Sequence, residues 1–356
     1  MRVVITLEQW NRTLLSRQHL LERIDEDVIE VLDRCVGLQS QDPRPPFVGL
    51  WSRVADFDPA DHDELLTDRE IIRSVLLRGT LMTADALDSR WLRALVQPRI
   101  AAITASNHKL PDGVDAAAVV DEARSALTGG ELSADSLRDL LAQRWPEASP
   151  RDLMATARAG LHLVQVPPRG TWAGSGTITY ALLDDWIGPA EPAVVDDEAR
   201  RDLIRMYLRG FGPASIAGIQ TWSGLTGLRP LVRQMDAEWE LIRVDGPGGE
   251  ELYDLDGLPI VDGDAPAPVR LIAPFDHILV AQAPADRIRV ADPDLFGRTV
   301  TPNGRSPGFL LVDGRLAGTW RVVDGRVALD FLTEVAPAAR RGAQAEAQRL
   351  EEFLGR

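Results

Sequence analysis

The spacing of apolar positions repeats one grammar three times along the chain: helical periodicity, then a short β-rich hairpin. The first round opens with TLEQWNRTLLSRQHLL and DEDVIEVLDRCVGL, whose apolar residues recur at helical spacing. Thr6 and Gln9 have the spacing of a capping box. A passage rich in glutamine and proline follows. IIRSVLLRGTLMTADAL then predicts strand, Arg-Gly turn and strand.

The second round holds AAAVVDEARSAL, SADSLRDLLAQRW and SPRDLMATARAGL. Ser133 is the expected N-cap of the middle helix, and Ser149 that of the last, with Pro150 at its first turn. HLVQVPPRGTWAGSGTITYALL predicts two strands around a Gly/Pro-rich tip. The third round is DDEARRDLIRMYLRGF, GPASIAGIQTWSGL and LRPLVRQMD, with Pro213 expected just inside a helix start. WELIRVDGPGGEELYDL closes it as a hairpin around GPGG.

Helices closed by a β-hairpin are the winged-helix plan, a variant of helix-turn-helix. After the linker VDGDAPAPV, residues 270–335 read as nearly all strand and turn, a small β-barrel or curled sheet. The tail PAARRGAQAEAQRLEEFLG reads as an amphipathic helix packing back on the body. The expected class is α+β, with three tandem winged-helix motifs plus a small C-terminal β-domain. The expected units are 1–110, 111–190, 191–262, 263–336 and the helix 337–356.

The net charge of −15 argues against indiscriminate affinity for nucleic acid. Two details modify this. Lys109 is the single lysine, so nearly all positive charge is arginine, the residue suited to bidentate phosphate and base contacts. From Arg270 to Arg321 seven arginines face five aspartates and no glutamate, which makes that segment locally positive. Cys35 is the only cysteine, which excludes a disulfide framework and a cysteine metal site. MRVVITLEQW is too short and too quickly polar for a signal peptide, and no apolar run is long enough for a membrane span. A cytoplasmic monomer is expected, with no metal and no cofactor.

Most catalytic signatures are missing. There is no phosphate-binding P-loop, and AGSGT around Ser175 lies in a predicted hairpin tip, away from any strand-to-helix elbow. DPADHDELL around His62 reads as a solvated helix start. Lys109 sits in a polar loop, a poor setting for Schiff-base chemistry.

One passage asks for an explanation. In CVGLQSQDPRPPFVGLW, Gln39 and Gln41 are followed by Pro43, Pro45 and Pro46, and each proline disfavours helix at the residue before it. On an extended exit, residues two apart face one side, so both amides would converge on one point.

GLQSQDPRPPFVGLWSRV, RGTL, LVQVPPRGTW, YLRGFGPAS, PFDHIL, DRIRV and VDGRLAGTWR, in that order, resemble the AlkZ/YcaQ group of winged-helix DNA glycosylases. The resemblance runs from about residue 6 to residue 335. It implies a DNA-binding cleft between the motifs and hydrolysis of the N-glycosidic bond of N-alkylated purines in double-stranded DNA. It also implies a nucleoid-associated enzyme serving repair or antibiotic self-resistance. In the resistance branch of the group the catalytic motif is Gln-Φ-Gln, Φ being apolar or small, which Gln39 and Gln41 match, with Ser40 in the middle as a mild departure. The group commonly has Asn where His277 stands and His near Gln282, so lesion choice is expected to differ. Expected contacts to DNA or the lesion are Arg78, Arg169, Trp172, His277, Arg287, Arg289, Asn303 and Arg305, the TPNG tip probing the duplex.

The chemistry suits two amides. A purine alkylated at N7 or N3 is already cationic and leaves as a neutral base, so no acid need protonate it. What remains is to place a water under the sugar, and amides can orient one through their oxygen and NH2. Two competing readings are a non-enzymatic winged-helix protein that binds DNA or a drug, and a hydrolase using Asp42 or Asp276 as base.

Overall fold

Thr6 begins the first helix, Leu7–Arg17, with both arms of its capping box closed: Gln9 N–H donates to the Thr6 hydroxyl at 3.1 Å, and Thr6 N–H to Gln9 Oε1 at 3.0 Å. The computed structural model in which this is seen describes residues 3–299 and 306–356. Its strands, in chain order, are β1 (Val3–Val4), β2 (Leu38–Gln39), β3 (Ile71–Val75), β4 (Leu81–Asp85), β5 (Leu132–Ser133), β6 (Leu163–Gln165) and β7 (Thr179–Leu182). β8 (Leu241–Asp245), β9 (Glu251–Leu255), β10 (Arg270–Ile272), β11 (Gly308–Val312), β12 (Arg315–Val323) and β13 (Arg326–Phe331) complete them.

The predicted hairpins form, and then join across the chain. β3–β4 and β6–β7 merge into one six-stranded sheet of order β2-β4-β3-β6-β7-β5, through the pairing of Ser74 with Val164. β1 lies parallel to β8, Val3 opposite Val244, so the first residues complete the third hairpin. The remaining sheet is β10-β11-β12-β13. The tail helix, Pro337–Leu354, covers it with Ala343, Ala347, Leu350 and Phe353, which pack with Phe47, Leu50, Leu310 and Trp320 in one apolar core. A larger core gathers Met82 and Leu95 with Tyr207, Phe211, Trp222 and Ile278. Among the described residues, no helix is long and apolar enough to cross a membrane.

Three local expectations are corrected. Residues 270–335 are not all strand: short helices His277–Val280, Pro284–Arg287 and Pro293–Thr299 intervene. Asp276 accepts from Ile278 N–H to start the first, and prolines begin the other two, where the missing N–H has no helical partner to lose. Pro213 does not open a helix; that helix runs Ile216–Ser223 with Ser215 as N-cap. The longest described helix, Ala86–Asn107, has no counterpart in the predicted elements, and it carries Pro98 inside it.

Candidate active site

β2 is the edge strand of the six-stranded sheet. Leu38 pairs with Thr83 and Gln39 with Met82, and Ser40 N–H donates to the Leu81 carbonyl at 2.8 Å. Successive side chains of such a segment alternate between faces. Leu38 and Ser40 are buried, Gln39 is half-buried and Gln41 is exposed, so the two amides share the outer side. The chain then turns sharply. Arg44 N–H donates to Asp42 Oδ1 at 3.1 Å, and Pro45 and Pro46 open the helix Pro45–Trp51, locked by fully buried Phe47.

Among the described residues, neither the Gln39 nor the Gln41 amide has a protein hydrogen-bond partner. Gln18, Gln97, Gln220 and Gln282, by contrast, spend theirs on backbone groups of the body. Gln41 stands at a hollow of about 310 Å³, lined also by Arg78, Gly79, Ile100, His108 and Arg158. A second hollow of about 450 Å³, with Arg99, Gln220 and Thr221, shares Arg78 and Ile103 with it. His108 is oriented there by Asp152, Nδ1 to Oδ1 2.7 Å.

The expected contact residues fare unevenly. Arg289 is fully buried and donates to Gln282 Oε1, Phe211 O and Pro213 O, so it braces the interior and cannot reach DNA. His277 is buried too. Burial, with the Arg78 charge next, holds its imidazole well below the usual range, and the neutral ring accepts from Arg78 Nη2 at 3.0 Å. Arg78 also donates to the Trp222 carbonyl, so its guanidinium is turned inward although the hairpin tip that carries it borders both hollows. Arg287 donates to Leu279 O and Gln282 O and lies over Phe296. Trp172 belongs to the core: it meets Phe47 and Phe353, and its indole donates to Arg356 O. Arg169 donates to Gly176 O within its own loop. Asn303 and Arg305 lie outside the described residues. His62, expected at the surface, is 1% exposed and packs on Phe47.

As for the hydrolase reading, Asp276 is buried in a two-armed ion pair with Arg53, which removes it as a base. Asp42 is exposed, its Oδ1 engaged by Arg44 N–H.

Comparison with known proteins settles the family. The model of the family described as DNA glycosylase AlkZ-like matches residues 32–353. The chain belongs to the AlkZ-like DNA glycosylases. It is therefore an enzyme that acts on DNA, and the reading as a non-enzymatic binder is set aside. A Streptomyces sahachiroi protein named interstrand DNA cross-link repair glycosylase is 26% identical over 337 residues, spanning 87% of this chain and 86% of that one. The solved structure of Streptomyces sahachiroi DNA glycosylase AlkZ superposes with a TM-score of 0.78 at 20% identity, over 99% of this chain and 98% of that one, which establishes the shared fold.

In this AlkZ-like chain, the groups around the Gln segment include several that sequence reasoning passed over. Arg99 and Arg158 are exposed at the two hollows, Lys109 is exposed at an adjoining one, and none of the three enters an ion pair among the described residues. Elsewhere, Arg138, Arg200, Arg201 and Arg205 are matched with carboxylates. Arg73 is the other omission. It is 1% exposed, and its guanidinium donates to the Ser40 carbonyl at 2.9 Å and the Arg169 carbonyl at 3.2 Å. Burial, then the nearby Arg169 charge, pushes it down to about 10, so it stays protonated at neutral pH. Its signal lay in IIRSV, a charged residue in the middle of an apolar strand.

Proposed function

We propose that this glycosylase hydrolyses the N-glycosidic bond of cationic N-alkylated purines, such as N7-alkylguanine or N3-alkyladenine, with Gln39 and Gln41 holding the attacking water. The observation that carries the reading is the pair of unspent amides on one side of a braced strand end. An amide oxygen accepts a hydrogen bond from the water and an amide NH2 fixes its orientation, directing a lone pair at the anomeric carbon. As the base leaves, the sugar gains positive charge, and the amide dipoles face it with their oxygens. The alkylated purine departs neutral, so no carboxylic acid is required. Such a site is weak against an unmodified nucleoside, and selectivity follows from the leaving group.

Arg158 lines the hollow at Gln41 and Arg99 the one beside it, where a duplex backbone would lie between winged-helix motifs. The name of the Streptomyces sahachiroi relative favours bulky adducts and interstrand cross-links among the substrates. Lys109 lines neither the hollow at Gln41 nor the one beside it, which supports hydrolysis without a lysine-linked intermediate; we take the enzyme to act as a monomer.

The test is release of N7-methylguanine from a labelled duplex in EDTA. Wild type should release the base, and Gln39→Ala or Gln41→Ala should each slow release by about a hundredfold, with DNA binding retained. Variants as fast as wild type would sink the proposal.

A further inference from the structure

We infer that Arg73 is a positioning residue for the reaction, setting the direction of Gln41 by holding the carbonyl of Ser40. The inference rests on the reading of Gln39 and Gln41 just given.

A peptide unit is planar, so the Ser40 carbonyl and the Gln41 N–H belong to one rigid plate. The preceding plate is fixed by the sheet, because Ser40 N–H donates to Leu81 O. Beyond Ser40 the ladder of β2 ends, and nothing in the sheet fixes the next plate. Arg73 supplies that hold. It sits on β3 opposite Thr83, which itself lies opposite Leu38, so its side chain crosses β4 on the buried face and meets the Ser40 carbonyl from beneath. With both plates around Ser40 held, its φ and ψ are fixed, and so is the plane from which Gln41 projects.

The other arm ties this point to the PPRG loop through the Arg169 carbonyl. Gly170 lets the loop close that far. Its φ is +104°, and a Cβ there would stand 2.4 Å from Arg73 Cδ. The pairing is an expensive one for a merely structural contact. Arg73 has no carboxylate within ion-pair distance among the described residues, and its Nε is buried without a partner. A buried cation held by neutral carbonyls costs more than an apolar side chain of the same length would. The two-armed fork is what an apolar residue, or a lysine, cannot reproduce.

The experiment compares Arg73→Lys, Arg73→Met and Gln41→Ala in single-turnover release of N7-methylguanine, with DNA affinity and thermal unfolding measured on each. Arg73→Lys should keep DNA affinity within about twofold and yet release the base at least about tenfold more slowly, since a small misplacement of a reacting group suffices for that. Arg73→Met should be slower again, and methylguanidinium added to Arg73→Ala should recover part of the rate without raising DNA affinity. If Arg73→Met does not fold, Arg73→Lys decides. Arg73 variants at the wild-type rate beside an inactive Gln41→Ala overturn the inference alone. So does a loss that follows DNA affinity or melting temperature. Gln41→Ala at the wild-type rate overturns the parent reading and this one together.

Discussion

Asp276→Asn should be among the most destabilising single changes in the chain, although it removes one charge and almost no volume. Arg53 and Asp276 are 0% and 1% exposed at their side chains, with Nη1 at 2.9 Å from Oδ2 and Nη2 at 3.0 Å from Oδ1. The pair ties residues just after the Pro45–Trp51 helix to the start of the His277–Val280 helix, which Asp276 also caps. Removing one member of a buried pair leaves the other charge without compensation, at a cost of about 3–5 kcal/mol. For 356 residues the unfolding entropy near the midpoint is about 0.75 kcal/mol/K, so a loss of about 4 kcal/mol lowers the melting temperature by about 5 °C. Arg53→Met should cost about as much, and the double variant Arg53→Met, Asp276→Asn much less than the two together, giving a large favourable coupling in the cycle. Urea unfolding followed by fluorescence reads all four proteins. If Asp276→Asn costs under about 1 kcal/mol, or the double variant costs the sum of the singles, the pair is not the buried unit described here.

Phe353→Ala should cost about 3–5 kcal/mol by urea unfolding, because the ring is 1% exposed and meets Trp51, Phe57 and Trp172; a cost near zero would mean that the tail helix does not close that core. Stability should fall in acid through His162, held neutral by burial, then by Arg93 and Arg90, and pushed down to about 3. The unfolded imidazole titrates near 6.5, so the unfolded chain binds more protons below that pH; the contribution is complete above about pH 6.5 and drains away toward about pH 3, with a slope approaching about 1.4 kcal/mol per unit. His162→Gln should flatten that slope by about one proton in unfolding measured from pH 7 to pH 4, and an unchanged slope would refute the assignment. Arg99→Gln and Arg158→Gln should each weaken duplex binding regardless of sequence and reduce the salt dependence of log K by about 0.9; an unchanged slope would place the DNA elsewhere.

The local grammar was legible because it is carried by short-range chemistry. The Thr6–Gln9 box, the cap at Ser133, the start of the Pro150–Gly160 helix at its proline and the hairpin around GPGG each depend on residues a few positions apart, although Ser149 itself makes no side-chain capping bond. What escaped depends on distant partners. An arginine in a sequence does not show whether it faces solvent or a carbonyl, and Arg289 and Arg78 turned out to serve carbonyls inside the body. Trp172 at a predicted wing tip became core because Phe353, far along the chain, covers it. The helix Ala86–Asn107 was hidden by Pro98 and by apolar residues on more than one side. For the site, the same-side geometry of Gln39 and Gln41 could be read from the prolines after them; for Arg73 the sequence shows a charge inside an apolar strand, but not that its partner is the Ser40 carbonyl two strands away.

The parallel pairing of β1 with β8 has a consequence for biogenesis. Val3 meets Val244, and Trp10 donates its indole hydrogen to the Pro213 carbonyl. The opening segment therefore leaves the ribosome long before its partners exist. At about 5–20 residues per second, some 240 residues of further synthesis keep Val3 and Val4 unpaired for roughly 12–50 s. Ile5 and Trp10, which share a core with Val244 and Leu252, are uncovered for the same interval. The nascent chain thus carries an apolar, strand-forming segment that stays uncovered until the third hairpin has emerged.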